Sequence, residues 1–245
     1  MKAFLFDFGG TLDTNGVHWS EKFWDAYREL KIGISKEEFE RAYVGAEARM
    51  SLGVIGPNDS MRTTLEKQVA LQIDVLEAGG ILTPRQGLNA PSSRVAELCY
   101  RAVQATIRTV RPLLAACRRN HRLGVVSNFH GNLRAACADL GIEEYFDVFI
   151  DSTNVGVRKP DPDIFRISLA ELGIASRDAL VIGDSYERDI VPAKSIGCVT
   201  VWLRGRSWRE PSEISGADFV IHSLADMYSF LKPAKQLIAS QRLPT

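Results

Sequence analysis

The sequence predicts an α/β fold in which a parallel sheet is interrupted, after its first strand, by an all-helical insertion. Two observations predict the sheet: short apolar runs recur in the second half of the chain, and segments with helical spacing separate them. A third predicts the insertion, because residues from about 18 to 109 show helical spacing throughout. The 245 residues are enough for a core domain and a smaller inserted one.

The first apolar run, residues 2–6, predicts a strand buried on both faces, because Ala3 to Phe6 contains no polar residue. A turn with two adjacent glycines, Gly9 and Gly10, follows it. We therefore expect this strand to lie in the middle of the sheet.

The insertion shows two apolar helix faces and one clear helix start. Ser35 followed by Glu38 predicts a capping box. The two apolar faces consist of Phe23, Trp24, Tyr27 and Leu30, and of Leu65, Val69, Ile73 and Leu76. Since the first strand needs the later ones to make a sheet, we predict a discontinuous core of residues 1–14 and 110–245 and a helical domain of residues 15–109.

Five further apolar runs alternate with amphipathic segments, which is typical of parallel βαβ units. Strands are predicted at 123–128, 147–151, 179–184, 198–203 and 218–222. Helices are predicted up to 140 and at 161–172, about 188–196 and 224–231. The tail, residues 233–245, is predicted to be weakly ordered.

Composition excludes several classes of partner. Thirty basic residues balance thirty acidic ones, so no strong overall field favours nucleic acid or an anionic membrane. No apolar run approaches the roughly 18 residues that span a bilayer, and the short N-terminal run leads into Asp7 rather than a cleavage site. We expect a cytoplasmic protein, a monomer or a homodimer. Free buried thiols are expected at Cys99, Cys117, Cys137 and Cys198.

Polar residues with useful chemistry end four of the predicted strands, and such ends meet at one edge of a parallel sheet. These residues are Asp7, Ser127, Asp151 and Asp184. A carboxylate such as Asp7 is able to attack phosphorus, and the cation of Lys159, placed before Pro160, would offset the charge. Asp184 and Asp189 provide the oxygen ligands that Mg²⁺ prefers near phosphate.

Four motifs occur in the order FDFGGTLD (6–13), VVSN (125–128), RKPDPDIF (158–165) and VIGDSYERDI (181–190). Together they resemble the motifs of the haloacid dehalogenase superfamily, over the whole chain, with a helical cap between the first two. The resemblance implies a Rossmann-like core, Mg²⁺, a small phosphorylated substrate and an aspartyl-phosphate intermediate.

The same resemblance implies a role for each matching residue. The implied metal ligands are Asp7, the backbone carbonyl of Gly9, and Asp184. Asp7 and Lys159 are the implied catalytic residues, and Asp189 supports the metal or Lys159. The implied phosphate-binding residues are Gly10, Thr11, Ser127 and Asn128.

One residue departs from the pattern: phosphatases of the superfamily carry a general-acid aspartate two residues after the nucleophile, where this chain has Gly9. A phosphatase would then need a good leaving group or a substitute acid, for which the candidates are His18, Glu187 and His130. A dehalogenase needs no such acid, because halide leaves without a proton.

Two other readings stay open. Carbon–phosphorus cleavage would need a Schiff-base lysine, and the candidates are Lys22, Lys31, Lys36 and Lys67. The last reading is a phosphate-binding protein with little turnover. We favour the phosphatase.

Overall fold

Six parallel strands form one sheet in the computed structural model, which describes residues 1–83, 91–208 and 216–231. The strand order is β3-β2-β1-β4-β5-β6, so β1 is central, as predicted. The strands are β1 (Ala3–Phe6), β2 (Arg122–Ser127), β3 (Val148–Asp151), β4 (Ala179–Gly183), β5 (Val199–Leu203) and β6 (Phe219–Ile221).

The register of the strands aligns their carboxyl ends. Phe6 pairs with Val125 of β2 and with Ile182 of β4, and every pair of neighbouring strands is parallel. Each strand end lies within one residue of its predicted position. All four residues of β1 are buried, because helices cover both faces of the sheet.

The insertion is helical, which confirms the predicted fold class. Its helices are α1 (Trp19–Glu29), α2 (Lys36–Arg49), α3 (Met61–Ala78) and α4 (Pro91–Arg118). The predicted capping box is present: Glu38 N–H donates to the Ser35 hydroxyl at 3.2 Å, and Ser35 N–H donates to the Glu38 carboxylate at 2.7 Å.

Helix α4 continues beyond residue 109, where we expected the helical pattern to end. It passes through Pro112 and ends at Arg118. A proline inside a helix removes one hydrogen bond, but Val110, Leu113 and Cys117 bury one face of this segment, which favours continuation. The predicted boundary at residue 110 therefore falls inside a helix, and the division into domains stays a prediction. Residues 84–90 of the predicted insertion, and the predicted weakly ordered tail, lie outside the described residues.

Shorter helices connect the later strands: α5 (Leu133–Asp139), α6 (Ser152–Val155), α7 (Asp163–Leu172), α8 (Val191–Ser195) and a 3₁₀ helix (Leu224–Leu231). The helix predicted at about 188–196 begins instead as a π-helical turn, Tyr186–Ile190, before α8. The side chain of Ser185 caps this turn by accepting a hydrogen bond from Arg188 N–H at 3.3 Å.

The four cysteines are free and buried, as expected. None of the helices in residues 1–83, 91–208 and 216–231 is both long and apolar enough to cross a bilayer.

Candidate active site

Asp7 follows β1 directly and is 6% exposed. Its Oδ1 atom accepts two hydrogen bonds, from Lys159 Nζ at 2.6 Å and from the Ser127 hydroxyl at 3.2 Å. No described residue donates to its other oxygen, Oδ2. One oxygen is thus anchored, and the second is free to act as a nucleophile or a metal ligand.

Lys159 is buried between two carboxylates. Its Nζ lies 2.6 Å from Asp7 Oδ1 and 2.5 Å from Asp189 Oδ1. Burial by itself lowers the pKa of Lys159, but the charges of Asp189 and Asp7 outweigh it and hold the pKa above its usual value. The ammonium therefore stays charged at neutral pH.

Asn128 fixes the backbone of Lys159 on both sides of its peptide unit. Lys159 N–H donates to Asn128 Oδ1 at 2.8 Å, and Asn128 Nδ2 donates to the Lys159 carbonyl at 2.9 Å. Asn128 was predicted to bind phosphate. These contacts support a positioning role as well, since they hold the lysine next to Asp7.

Asp184 follows β4 and is held by the turn after β1. The Thr11 hydroxyl donates to Asp184 Oδ1 at 2.9 Å and accepts from Asp184 N–H at 3.0 Å. A Cβ atom at Gly10, whose φ is +97°, would lie 2.4 Å from Asp184 Oδ2, so only glycine fits there. A Cβ at Gly183 would likewise collide with Asp189. The two loops thus pack tightly enough to bring their carboxylates together.

The carboxylate oxygens of Asp7, Asp184 and Asp189 lie within 4.8 Å of one another. Burial raises the pKa of Asp184 well above its usual value, and the charges of Asp7 and Asp189 raise it further. Burial also raises the pKa of Asp189, to about 6, although Lys159 partly offsets this effect. Three hard oxygen donors with an excess of negative charge fit a divalent cation such as Mg²⁺.

A cavity of about 580 Å³ opens over these carboxylates. It is lined by seven of the predicted site residues, namely Asp7, Gly9, Ser127, Asn128, Lys159, Asp184 and Asp189. The other two, Gly10 and Thr11, do not line it. Gly10 N–H donates to Asp13 Oδ1 at 2.8 Å and the Thr11 hydroxyl contacts Asp184, so these predicted phosphate donors already have partners.

Among the candidate substitute acids, His18 and Glu187 line the cavity and His130 does not. His18 caps α1, where its Nδ1 accepts a hydrogen bond from Ser20 N–H at 3.2 Å. Burial lowers the pKa of His18 to about 4, and the nearby charge of Arg188 contributes. The imidazole is therefore neutral at neutral pH, which suits a base better than an acid. None of the four candidate Schiff-base lysines lines the cavity.

Sequence reasoning missed Asp13 and Trp19, which lie beside Gly9. Asp13 Oδ2 accepts from the Trp19 indole N–H at 2.8 Å, and burial raises the pKa of Asp13 to about 7 even though this bond and the one from Gly10 lower it. A Cβ atom at Gly9 would lie 3.8 Å from the Trp19 ring. A second acid six residues after Asp7, within the same turn, was the available signal.

Comparisons with known proteins identify the family. The model of the haloacid dehalogenase-like hydrolases matches residues 1–197. A glyceraldehyde 3-phosphate phosphatase of Methanocaldococcus jannaschii is 30% identical over 97 residues, which are 40% of this chain and 42% of that protein. The pyrimidine 5'-nucleotidase YjjG of Escherichia coli is 31% identical over 121 residues, 49% of this chain and 53% of that protein. The chain thus spans about half the length of these relatives, or less.

Solved structures show the same fold. A dehalogenase determined with an intermediate complex has a TM-score of 0.63 at 16% identity, covering 95% of this chain and 98% of that one. At this identity the likeness concerns the fold and leaves the chemistry to the site itself.

Proposed function

The chain belongs to the haloacid dehalogenase-like hydrolase family, and from this premise we propose that it is a Mg²⁺-dependent phosphatase acting on a small phosphorylated metabolite. The observation that carries the proposal is the cluster of the Asp7, Asp184 and Asp189 carboxylates, two of which, Asp7 and Asp189, flank the buried ammonium of Lys159. One of the two relatives is a phosphatase by name and the other a 5'-nucleotidase, and both names support the proposal.

Asp7 is the proposed nucleophile. Its Oδ2 attacks phosphorus while the bond from phosphorus to the leaving oxygen breaks, which forms an aspartyl-phosphate. Water then attacks the same phosphorus and returns Asp7 to its carboxylate form with release of phosphate. Lys159 holds Oδ1 during both steps and faces the phosphoryl oxygens with positive charge, and Ser127 donates its single hydroxyl proton either to Oδ1 or to a phosphoryl oxygen.

The proposed Mg²⁺ ligands are Asp7, Asp184 and the backbone carbonyl of Gly9. Mg²⁺ bound there would neutralise charge on the transferring phosphoryl group. Asp189 accepts a hydrogen bond from Lys159 and another from Ser185 N–H at 3.1 Å. Its proposed role is therefore to hold the lysine and the loop that carries Asp184.

Gly9 sets the kind of leaving group. Without a carboxyl group there, the leaving oxygen receives no proton from the usual position, which favours acyl or aryl phosphates. His18, neutral and at the cavity wall, is the better placed group to accept a proton from the attacking water. Glu187 remains the second candidate.

Dehalogenation is the runner-up, because a halide leaves without a proton and Gly9 is then no handicap. The three clustered carboxylates argue against it, since they suit a metal site better than attack on a haloacid. Carbon–phosphorus cleavage gains no support, because the candidate lysines lie outside the cavity. Cytoplasmic localisation and the monomer or homodimer state stay predictions.

The test is release of phosphate from p-nitrophenyl phosphate, with and without Mg²⁺, by the wild type and by Asp7→Asn. We expect Mg²⁺-dependent release by the wild type and none by the variant. Chloride release from 2-chloropropionate, with no phosphate release, would identify a dehalogenase. Absence of both reactions in a protein that binds Mg²⁺ would favour the phosphate-binding protein.

A further inference from the structure

Arg188 is a cation at the wall of the cavity, and no ion pair joins it to a residue that the structure describes. It lines the cavity and is exposed, and no carboxylate in residues 1–83, 91–208 or 216–231 lies within 4.0 Å of its guanidinium. Lys159, in contrast, is held between two carboxylates. The proposed chemistry therefore uses Lys159 and leaves the charge of Arg188 without a role.

The backbone of Arg188 is fixed relative to the nucleophile. Its N–H donates to the Ser185 hydroxyl at 3.3 Å, and Ser185 N–H donates to Asp189 Oδ2 at 3.1 Å. The other oxygen of Asp189 accepts from Lys159, which also contacts Asp7. A chain of hydrogen bonds thus connects the origin of the Arg188 side chain to the proposed reacting carboxylate.

The guanidinium lies near residues of the first two helices of the insertion. Its charge contributes to the low pKa of His18 at the start of α1, and it partly counters the effect of burial on Tyr43 and Glu47 of α2. Glu47 accepts a hydrogen bond from Gln68, so its carboxylate is already engaged. The positive charge therefore lies near α1 and α2, at the wall of the cavity that contains the catalytic carboxylates.

We infer that Arg188 binds a carboxylate carried by the substrate at the end remote from the phosphoryl group, so that the enzyme acts on small phosphorylated carboxylic acids. This inference rests on the proposed function and deepens it. A guanidinium presents parallel N–H donors that match the two oxygens of a carboxylate. One free guanidinium also balances the single charge of a carboxylate, whereas a second phosphate carries more charge than it offsets.

The experiment compares two phosphonates that the enzyme does not hydrolyse as phosphate esters: phosphonoacetate and its uncharged amide, carbamoylmethylphosphonate. Calorimetry with Mg²⁺ measures their affinities for the wild type, Arg188→Ala, Arg188→Lys and Arg158→Ala. Arg158 is the matched control, because it is also exposed and close enough to affect Glu47 but does not line the cavity.

We expect the wild type to bind the carboxylate about tenfold more tightly than the amide, as for one charge-assisted contact. Arg188→Ala should abolish this preference without lowering the affinity for the amide, Arg188→Lys should restore part of the preference, and Arg158→Ala should keep it.

The inference would be overturned by equal wild-type affinities for the two ligands, by no binding of phosphonoacetate, or by an equal loss of affinity for both ligands in Arg188→Ala. So would a larger Arg188-dependent preference for methylenebisphosphonate, or the same loss in Arg158→Ala.

The binding measurement needs no turnover, so the two proposals fail separately. If the protein prefers the carboxylate through Arg188 but releases no phosphate from p-nitrophenyl phosphate, the proposed phosphatase activity is wrong and the proposed carboxylate site stands. If it hydrolyses p-nitrophenyl phosphate but shows no such preference, the phosphatase activity stands and the carboxylate site is wrong.

Discussion

Buried polar side chains have charged partners at the carboxyl edge of the sheet, whereas some of those inside the helical insertion have no hydrogen-bond partner in the described residues. At the sheet edge, Lys159 is 4% exposed and lies between the buried carboxylates of Asp7 and Asp189. In the insertion, neither amide atom of Gln72 nor the hydroxyl of Tyr27 has a partner in the described part of the chain, although both side chains are fully buried. The edge is thus organised by charge, and the insertion is organised by apolar packing.

Replacing Lys159 with Met should have the largest effect. Removing one member of a buried charge cluster leaves Asp7 and Asp189 unpaired, which costs about 3–5 kcal/mol in the free energy of unfolding. Urea denaturation without divalent cations measures it. Added Mg²⁺ should restore part of the loss, because a second cation then offsets the carboxylates.

Lys36→Met is the control for Lys159→Met. Lys36 pairs with Glu21 at 3.0 Å, but its side chain is 48% exposed, so the loss should stay below about 1 kcal/mol. Equal losses in the two variants would mean that the buried cluster contributes no more than a surface ion pair, and the contrast drawn above would fail.

Replacing Gly9 with Asp tests whether a general acid at this position is the only catalytic group that the sheet edge lacks. The backbone there has φ −73°, and a Cβ atom would meet nothing closer than the Trp19 ring at 3.8 Å, so the residue fits. Hydrolysis of alkyl phosphates should rise about 10²-fold relative to aryl phosphates, because a poor leaving group gains most from a general acid. Steady-state kcat/KM for glycerol phosphate and p-nitrophenyl phosphate gives the ratio.

Gly9→Asn separates the acid from the added bulk, since asparagine has nearly the same shape as aspartic acid but no acidic proton to transfer. It should leave the alkyl-to-aryl ratio unchanged. If Asn raises the ratio as much as Asp does, then size rather than acidity explains the effect.

Most of the fold was predictable because apolar runs and turn residues are local signals. The run at residues 2–6 became the central strand, and Ser35 and Glu38 formed the predicted capping box. The motif positions 7, 127, 159 and 184 also meet at one sheet edge. Parallel strands bring their carboxyl ends together whatever the sequence between them.

The rest depended on contacts between distant residues, which no local pattern encodes. The pairing of Asp13 with Trp19, and the use of Asn128 to hold Lys159, follow from how the loops pack. Helix α4 passed through Pro112 because its apolar face outweighs one lost hydrogen bond. That no carboxylate in the described residues pairs with the Arg188 guanidinium is likewise visible only once its neighbours are known.

His130, in the loop after β2, is a partly buried imidazole near the positive charge of Arg158. Burial lowers its pKa to about 4, and the charge of Arg158 adds to this. The unfolded value is about 6.5. Unfolding therefore takes up a proton between pH 6.5 and 4, so the stability that neutral His130 provides is complete above pH 6.5 and is lost as the pH falls towards 4.

His130→Gln removes this proton uptake. The difference in unfolding free energy between wild type and variant should shrink by on the order of 1 kcal/mol from pH 7 to pH 5, in the direction that penalises the wild type. Urea titrations at both pH values measure it, and the other titrating groups cancel in the difference. A difference that stays constant with pH would show that His130 titrates alike in both states.

Gln72 gives the smallest expected effect and the sharpest test of the insertion. If its buried amide has no partner, Gln72→Met removes two unsatisfied polar atoms at nearly constant volume, so the free energy of unfolding should stay equal or rise by about 1 kcal/mol. Gln68, four residues away on α3, donates to Glu47, so Gln68→Met should lower stability by about 1–3 kcal/mol. If Gln72→Met lowers the free energy of unfolding as much as Gln68→Met does, then the Gln72 amide is hydrogen-bonded in solution. Buried polar groups would then be paired in the insertion as they are at the sheet edge.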